Sequence, residues 1–105
     1  MKITYSTVLV LEALARGYRY GFDILDATNL PSGTVYPILR RFENEGLVIS
    51  EWEAQGIATR DQRPPRRYYV LTVDGKKLLA KTADRYRAAQ EIIPRRSRAL
   101  KPTRS

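Results

Sequence analysis

The 105-residue sequence contains no cysteine and no histidine. Their absence excludes disulfide bonds, thiol nucleophiles, imidazole acid–base relays and most transition-metal sites. No stretch approaches the roughly eighteen consecutive apolar residues of a membrane span, and the first residues lack the pattern of a signal peptide. Glycine-rich phosphate loops are also missing. We therefore expect neither catalysis nor a metal or cofactor, and the cytoplasm is the default compartment.

Positive charge is in excess and unevenly distributed. Nineteen lysines and arginines against eleven acidic residues give a net charge of +8. Five of these positive charges, with no acid, lie in the last eleven residues, which leaves +3 for residues 1–94. This balance favours a polyanionic partner, nucleic acid first, although a basic protein with a solvated tail would have the same composition.

Two helices are predicted before residue 29. Residues 3–16 are apolar over most of a helix circumference, so one face can pack on the domain while Ile3, Leu9 and Val10 meet a second subunit. The alternative is a central helix wrapped by its own domain. Residues 19–28 form a second, shorter helix with Phe22, Ile24 and Leu25 as core candidates.

A third helix follows within residues 30–47, capped by Ser32 and ended by Gly46. Val35, Leu39 and Phe42 line its apolar face, and Pro37 predicts a kink or an irregular first turn. The opposite face carries hydrogen-bonding, aromatic and cationic side chains, namely Thr34, Tyr36, Arg40, Arg41 and Asn44. Such side chains reach base edges and phosphates when a helix enters the major groove, and the preceding short helix makes this pair a helix-turn-helix.

Residues 47–53 and 66–72 are rich in β-branched and aromatic residues and predict two strands of a hairpin. The intervening residues 54–65 are predicted to be a long loop. A hairpin directly after a helix-turn-helix indicates a winged helix. Its cationic side chains would then face phosphates or a minor groove, whereas in an ordinary hairpin they only confer solubility: Arg60, Arg63, Arg66 and Arg67.

The last predicted helix begins at Thr72 as N-cap and runs to about residue 93. Its heptad-like seam is longer than a three-helix core requires, so a contact with a second subunit is predicted, with packing on its own domain as the alternative. The dimer candidates on this helix are Tyr86, Ala89, Ile92 and Ile93. Residues 94–105 are predicted to be a disordered basic tail.

These elements predict a mainly α fold with a small β-hairpin. Residues 1–72 would form a winged helix-turn-helix DNA-binding domain and residues 73–93 a long C-terminal dimerisation helix.

Three segments resemble the PadR family of winged helix-turn-helix regulators. Residues 20–24 look like the family's G-Y-x-I stretch. Residues 32–48 are similar to its G-T-x-Y-P-x-L-x-R-L-E-x-E-G-L segment, and residues 66–75 to its R-x-Y-Y-x-L-T-x-x-G ending. The resemblance covers roughly residues 3–90, and its second and third motifs are specific in combination.

The resemblance implies a homodimer whose first and last helices form the interface and whose two recognition helices read a palindromic operator. It places Ser32, Thr34, Tyr36 and Arg40 in the groove and Arg41 with the wing arginines on the DNA backbone. It further implies a repressor released by a small molecule. The last helix lacks the tryptophan of some members, so the aromatic drug pocket of those members is not expected; Tyr86 is the only aromatic residue there.

Two other functions fit parts of the sequence. Sequence-independent nucleic-acid binding would need only the basic tail and wing, and it predicts a steep salt dependence. A winged helix used as a protein adaptor would present Arg40 and Arg41 to an acidic partner. The polar and aromatic residues at the start of the third helix argue against both, because generic electrostatics would need only lysine and arginine there.

Overall fold

In a computed structural model of the protein, residues 3–82 are described together with Arg87 and Ile93. Four α-helices and a two-stranded antiparallel hairpin make up most of this part, and a fifth, short helix lies in the hairpin connection. In chain order the elements are α1 (Tyr5–Ala15), α2 (Gly21–Thr28), α3 (Ser32–Asn44), β1 (Val48–Trp52), α4 (Gln55–Arg60), β2 (Arg67–Leu71) and α5 (Val73–Thr82).

Helix α1 is the centre of the core. Thr4 caps it by accepting a hydrogen bond at Oγ1 from the Thr7 backbone N–H, at 3.2 Å. The eight consecutive residues from Thr7 to Leu14 are all buried within the single chain. The reasoning that such a helix needs a partner subunit to cover it was therefore wrong, since α2, α3, β2 and α5 all contact it. Leu9 and Val10, predicted to face a second subunit, are among the buried residues, whereas Ile3 is half-buried.

The connection between α2 and α3 is tight, as predicted. Asn29 ends α2 in the left-handed conformation, with a φ of 61°, which asparagine tolerates better than most residues. The prediction of Ser32 as the N-cap of α3 was wrong: Pro31 occupies that position, and its carbonyl accepts from the Thr34 and Val35 N–H groups. Helix α3 then runs without interruption through Pro37.

One face of α3 packs into the core. Val35, Leu39 and Phe42 are buried as predicted, and Ile38 joins them. In α2, Ile24 is fully buried and Leu25 half-buried, but the prediction of Phe22 as a core residue was wrong because its side chain is 55% exposed.

The hairpin has the predicted strands, and Val48 pairs with Leu71 while Trp52 pairs with Arg67. The predicted loop of residues 54–65 was partly wrong, because α4 occupies Gln55–Arg60. A further bridge joins Tyr20 to Tyr68, and the Tyr69 N–H donates to the Arg19 carbonyl at 2.9 Å. The wing is therefore attached by its second strand to the residues just before α2.

A dense junction links the end of α3 to the start of α5. Thr72 donates from its backbone N–H to the Leu47 carbonyl (3.0 Å) and from Oγ1 to the Gly46 carbonyl (2.7 Å). The same Oγ1 accepts from the Gly75 N–H at 3.1 Å, which makes Thr72 the predicted N-cap. Gly75 leaves no room for a side chain, since a Cβ there would lie 2.2 Å from the Leu47 carbonyl oxygen.

Helix α5 is described only as far as Thr82. Most of its predicted continuation, with Tyr86, Ala89 and Ile92, and the predicted tail of residues 94–105 lie outside the described residues. Ile93 is described, and it is buried in the core of the single chain. Among the described helices, none is long and apolar enough to cross a membrane.

The junction predicts opposite effects for two glycine-to-alanine changes. Gly75→Ala should lower the free energy of unfolding by about 1–3 kcal/mol, because the new methyl group must displace the Leu47 carbonyl. Gly33→Ala is the matched control in another helix: no atom lies within 4 Å of its Cβ position, so stability should rise by up to about 1 kcal/mol. Urea unfolding measures both, and equal effects would contradict the packing described for Gly75.

Candidate nucleic-acid interface

The outward face of α3 follows from its buried face. At about 100° per residue, a helix that buries Val35, Ile38, Leu39 and Phe42 turns positions 33, 37, 40 and 44 directly away from the core. The residues at these four positions are all exposed: Gly33, Pro37, Arg40 and Asn44. We call them the outward stripe. Arg40 and Asn44 were predicted for the interface and lie at its centre.

The other predicted residues of α3 flank this stripe. Tyr36 lies on one side, with 39% of its side chain exposed, and Arg41 lies exposed on the other. Ser32 is exposed near one margin, whereas Thr34 is half-buried at the opposite margin. Neither Arg40 nor Arg41 forms an ion pair within the part of the chain that the structure describes. Both guanidinium groups are therefore available to an anionic partner.

Gly33 and Pro37 are interface candidates that the sequence reasoning missed. They have no donor and no charged group, so a search for hydrogen-bonding side chains passes over them. The signal available in the sequence was their spacing. Gly33, Pro37 and Arg40 follow one another at intervals of four and three residues, which places them on one face of a helix. Helical periodicity applied to the polar face, as it was to the apolar face, would have found them.

Tyr36 is held in place by the first residue of α2. Its ring packs on Gly21 so closely that a Cβ at Gly21 would lie 2.3 Å from the Tyr36 hydroxyl oxygen. Gly21 is buried by this contact. The glycine of the second helix therefore determines how the tyrosine of the third is presented at the surface.

A cleft of about 290 Å³ separates α3 from the wing. Its walls are mostly aromatic, with two arginines from β2 and the turn before it: Tyr20, Gly21, Phe22, Tyr36, Arg66, Arg67 and Tyr69. This cleft explains the exposure of Phe22, because the residue belongs to its wall and not to the core. Burial is also the first cause that raises the pKa of Tyr69.

The carboxylate of Glu53 fastens the wing to the helix-turn-helix. The Arg63 guanidinium donates to both of its oxygens, at 2.6 and 3.0 Å. The Tyr20 hydroxyl donates to Oε2 at 3.0 Å and the Arg66 backbone N–H donates to Oε1 at 3.1 Å. Only 6% of the Glu53 side chain is exposed. Four donors from three residues, in two segments of the chain, thus converge on one carboxylate.

These bonds determine the ionisation of the network. The Arg63 hydrogen bonds are the main cause that lowers the pKa of Glu53 to about 2, and the Arg66 N–H and Tyr20 hydroxyl act in the same direction. Burial and the bond to Glu53 raise the pKa of Tyr20, so its hydroxyl keeps the proton that it donates. The network is fully formed at neutral pH.

The predicted wing arginines fall into two groups. Arg63 is bound to Glu53 and to Asp61 and is only 20% exposed, so within the fold it holds the wing together, and its role at DNA stays a prediction. Arg67 is 44% exposed but already has partners within the chain. Its Nη2 lies 3.2 Å from Glu43 of α3 and donates to Ser50 Oγ at 2.7 Å, and the guanidinium lies over the Trp52 ring.

Arg60 and Arg66 are the more available pair. Arg60 is 75% exposed and has a 3.6 Å contact with Asp61. Arg66 is exposed, its guanidinium lies 5.9 Å from the centre of the Tyr20 ring, and it has no carboxylate partner among the described residues. Arg66 also lines the aromatic cleft, to which α3 contributes Tyr36.

Comparison with known proteins places this arrangement in a family. The sequence profile described as "Transcriptional regulator PadR-like family" matches residues 10–81, which include the helix-turn-helix, the wing and the start of α5. The chain belongs to the PadR-like family. Members of this family are transcriptional regulators and not enzymes. No curated protein sequence matches the chain.

Solved structures are similar over most of the chain, and two of them are PadR-like regulators. A PadR-like transcription factor from Bacteroides fragilis is 28% identical, with a TM-score of 0.63 over 81% of this chain and 82% of that one. A PadR family regulator from Clostridium difficile R20291 is 26% identical, with a TM-score of 0.65 over 85% and 94%. Bordetella bronchiseptica BpsR, at 21% identity, shares the fold, with a TM-score of 0.66 over 97% and 74%.

The Glu53 network predicts an acid-sensitive wing in this PadR-like protein. Because the pKa of Glu53 is lower in the folded chain than the ordinary 4.5, its stabilising contribution is complete above pH 4.5 and is lost as the pH falls towards 2. Glu53→Gln should therefore lower the melting temperature at pH 7 and reduce its decline between pH 4.5 and 2. Melting followed by circular dichroism across this range measures both effects.

Glu45→Gln, at the exposed end of α3, is the matched control and should leave the melting temperature nearly unchanged. Hydrogen exchange at the Arg66 amide adds a local measurement, since that N–H loses its charged acceptor only in Glu53→Gln. Equal protection of the Arg66 amide in both variants would contradict the role given to Glu53.

Proposed function

We propose that this protein is a homodimeric, sequence-specific DNA-binding repressor that reads a palindromic operator in the cytoplasm. The observation that carries the proposal is the exposed face of α3, where the outward stripe with Arg40 and Asn44 is flanked by Arg41 and by Tyr36, which lines the aromatic cleft beside the wing. Family membership supports a DNA-binding regulator. Repression, the dimer and the operator symmetry are parts of the proposal that go further.

The proposed geometry places α3 in the major groove. Arg40 and Asn44 then reach base edges, as guanidinium and amide groups do when they pair with guanine and adenine. Ser32, Thr34 and Tyr36 contribute from the margins, and Arg41 meets a phosphate. The wing lies against the flanking backbone with Arg60 and Arg66, while Arg67 contributes once it leaves Glu43.

The dimer is proposed from the last helix more than from the first. Helix α1 is covered by its own chain, so only Ile3 at its start is left partly exposed among the α1 candidates. Residues 73–93 would supply the main contact through Tyr86, Ala89 and Ile92, and residues 94–105 would add a basic tail that strengthens binding without reading sequence. A two-fold axis would then repeat α3 about one helical turn of DNA away.

A small-molecule effector is part of the proposal. The solved structure of BpsR concerns the regulation of its DNA binding by 6-hydroxynicotinic acid. The cleft between α3 and the wing has a volume of about 290 Å³, which is close to the lower limit of the volumes of small-molecule sites. A compound seated there would stand between the two elements that have to meet DNA together.

Selection from a random-sequence DNA library at near-physiological salt tests the function itself. The full-length protein should enrich an inverted repeat with half-sites about one helical turn apart. A single enriched half-site would retain sequence-specific binding and contradict the dimer. Binding without enrichment would assign the protein to the nonspecific nucleic-acid binders, and no binding at all would favour the adaptor alternative.

Arg40→Ala tests the orientation of α3. Loss of a base contact should weaken operator binding by about 1–3 kcal/mol and relax the preference at one position of each half-site. Lys77→Ala on α5 is the control, since it removes one exposed positive charge outside the proposed interface. Fluorescence anisotropy with the selected operator measures affinity. Equally small losses of operator affinity in the two variants would show that Arg40 does not contact a base.

A further inference from the structure

The centre of the outward stripe contains two residues that disfavour helices. Glycine and proline are the poorest helix formers, yet Gly33, the second residue of α3, and Pro37, one turn later, both lie on its exposed face. Packing within the described part of the chain does not require a glycine at position 33. Gly33 has an ordinary φ, and no atom lies within 4 Å of the position that its Cβ would occupy. A role at the surface of α3 would account for the pair.

Their spacing has a specific effect on the backbone. In an α-helix the N–H of each residue donates to the carbonyl four residues earlier. Proline has no N–H, so Pro37 deprives the Gly33 carbonyl of its regular donor, and the proline ring pushes that carbonyl away from the helix axis.

The same pair clears the space around this oxygen. Gly33 contributes no side chain, and Pro37 contributes only a compact ring. The Gly33 carbonyl, which lacks its regular helical donor, therefore belongs to an exposed residue of the stripe and has little side-chain cover from Gly33 or Pro37. A buried acceptor in this state would be costly, but this one is exposed and remains hydrated until a partner arrives.

We propose that the Gly33 carbonyl oxygen accepts a hydrogen bond from the exocyclic amino group of a base. This inference rests on the proposed function, because it requires α3 to lie in the major groove. The amino groups displayed there are N6 of adenine and N4 of cytosine. Guanine O6 and thymine O4 are acceptors and would place oxygen against oxygen. The carbonyl thus selects an amino-bearing base at one position of each half-site.

Both residues are needed for this contact. Pro37→Ala restores an N–H that satisfies the Gly33 carbonyl within the helix, and Gly33→Ala places a methyl group beside it. Each variant should fold at least as stably as the wild type, since alanine is the better helix former. Pro31→Ala is the matched control: it is the same substitution just before the helix, where the carbonyl already accepts from two N–H groups.

The test repeats the library selection with the wild type and all three variants. We expect Gly33→Ala and Pro37→Ala to relax the preference at the same single position, reducing discrimination between adenine or cytosine and the other bases by about tenfold. Pro31→Ala should return the wild-type preferences throughout. Wild-type preferences in both stripe variants, or a uniform loss of affinity without a change at one position, would overturn the proposal.

A base analogue separates this contact from a general disturbance of the helix. If the position carries adenine, its replacement by purine, which lacks the N6 amino group, should weaken wild-type binding about tenfold and leave Pro37→Ala unaffected. If the position carries cytosine, 2-pyrimidinone replaces it. Equal losses in wild type and variant would overturn the carbonyl contact while the proposed function stands. Failure of the wild type to enrich any sequence would overturn both.

Discussion

The burial of one face of α3 is the constraint on which the rest of the structure depends. Val35, Ile38, Leu39 and Phe42 together remove a whole side of the helix from water and fix its rotation about its own axis. With that rotation set, the opposite residues have no freedom to face elsewhere. The side chains that would meet DNA are oriented by apolar contacts made on the other side of the helix, which is why a small domain can present them without a large supporting structure.

The wing is held by different physics. It contains few buried apolar groups beyond Val48, Tyr69 and Leu71, so its position relative to α2 depends on charge-assisted hydrogen bonds to Glu53. One carboxylate receives the donors of Tyr20, Arg63 and Arg66. The guanidinium of Arg63 is used in these bonds. Arg66 contributes only its backbone N–H, so its guanidinium is not bound to Glu53. Of the arginines in the wing, one therefore stabilises the fold while another keeps its charge exposed for a partner.

Periodicity predicted most of the fold. The apolar spacing of Val35, Leu39 and Phe42 was enough to identify α3 and its buried face, and the β-branched and aromatic residues identified both strands. Errors arose where a residue's environment depends on distant segments. Phe22 is as apolar as a core residue, but it lies beside a cleft whose other walls come from α3 and β2.

The interface was predictable to a similar degree. Arg40, Arg41 and Asn44 could be placed on the exposed face of α3 because helical geometry is local. The sequence could not show that Arg63 is ion-paired while Arg60 is largely exposed, since the pairing of Arg63 depends on Glu53, ten residues earlier and just after β1. Pro37 was interpreted only as the cause of a kink or an irregular first turn. Its effect on the Gly33 carbonyl was missed because sequence patterns describe side chains and not main-chain groups. Pair interactions and main-chain groups are the information that composition and spacing leave out.

The placement of Trp52 gives the wing its own optical label. It is the only tryptophan of the chain, 63% of it is exposed, and the Arg67 guanidinium lies 5.8 Å from the centre of its ring. Indole emission is sensitive to solvent and to a nearby cation, so fluorescence excited beyond the absorption band of the seven tyrosines originates from one strand end. Departure of Arg67 from Glu43 would change that emission without any attached dye, and the signal would report the wing alone.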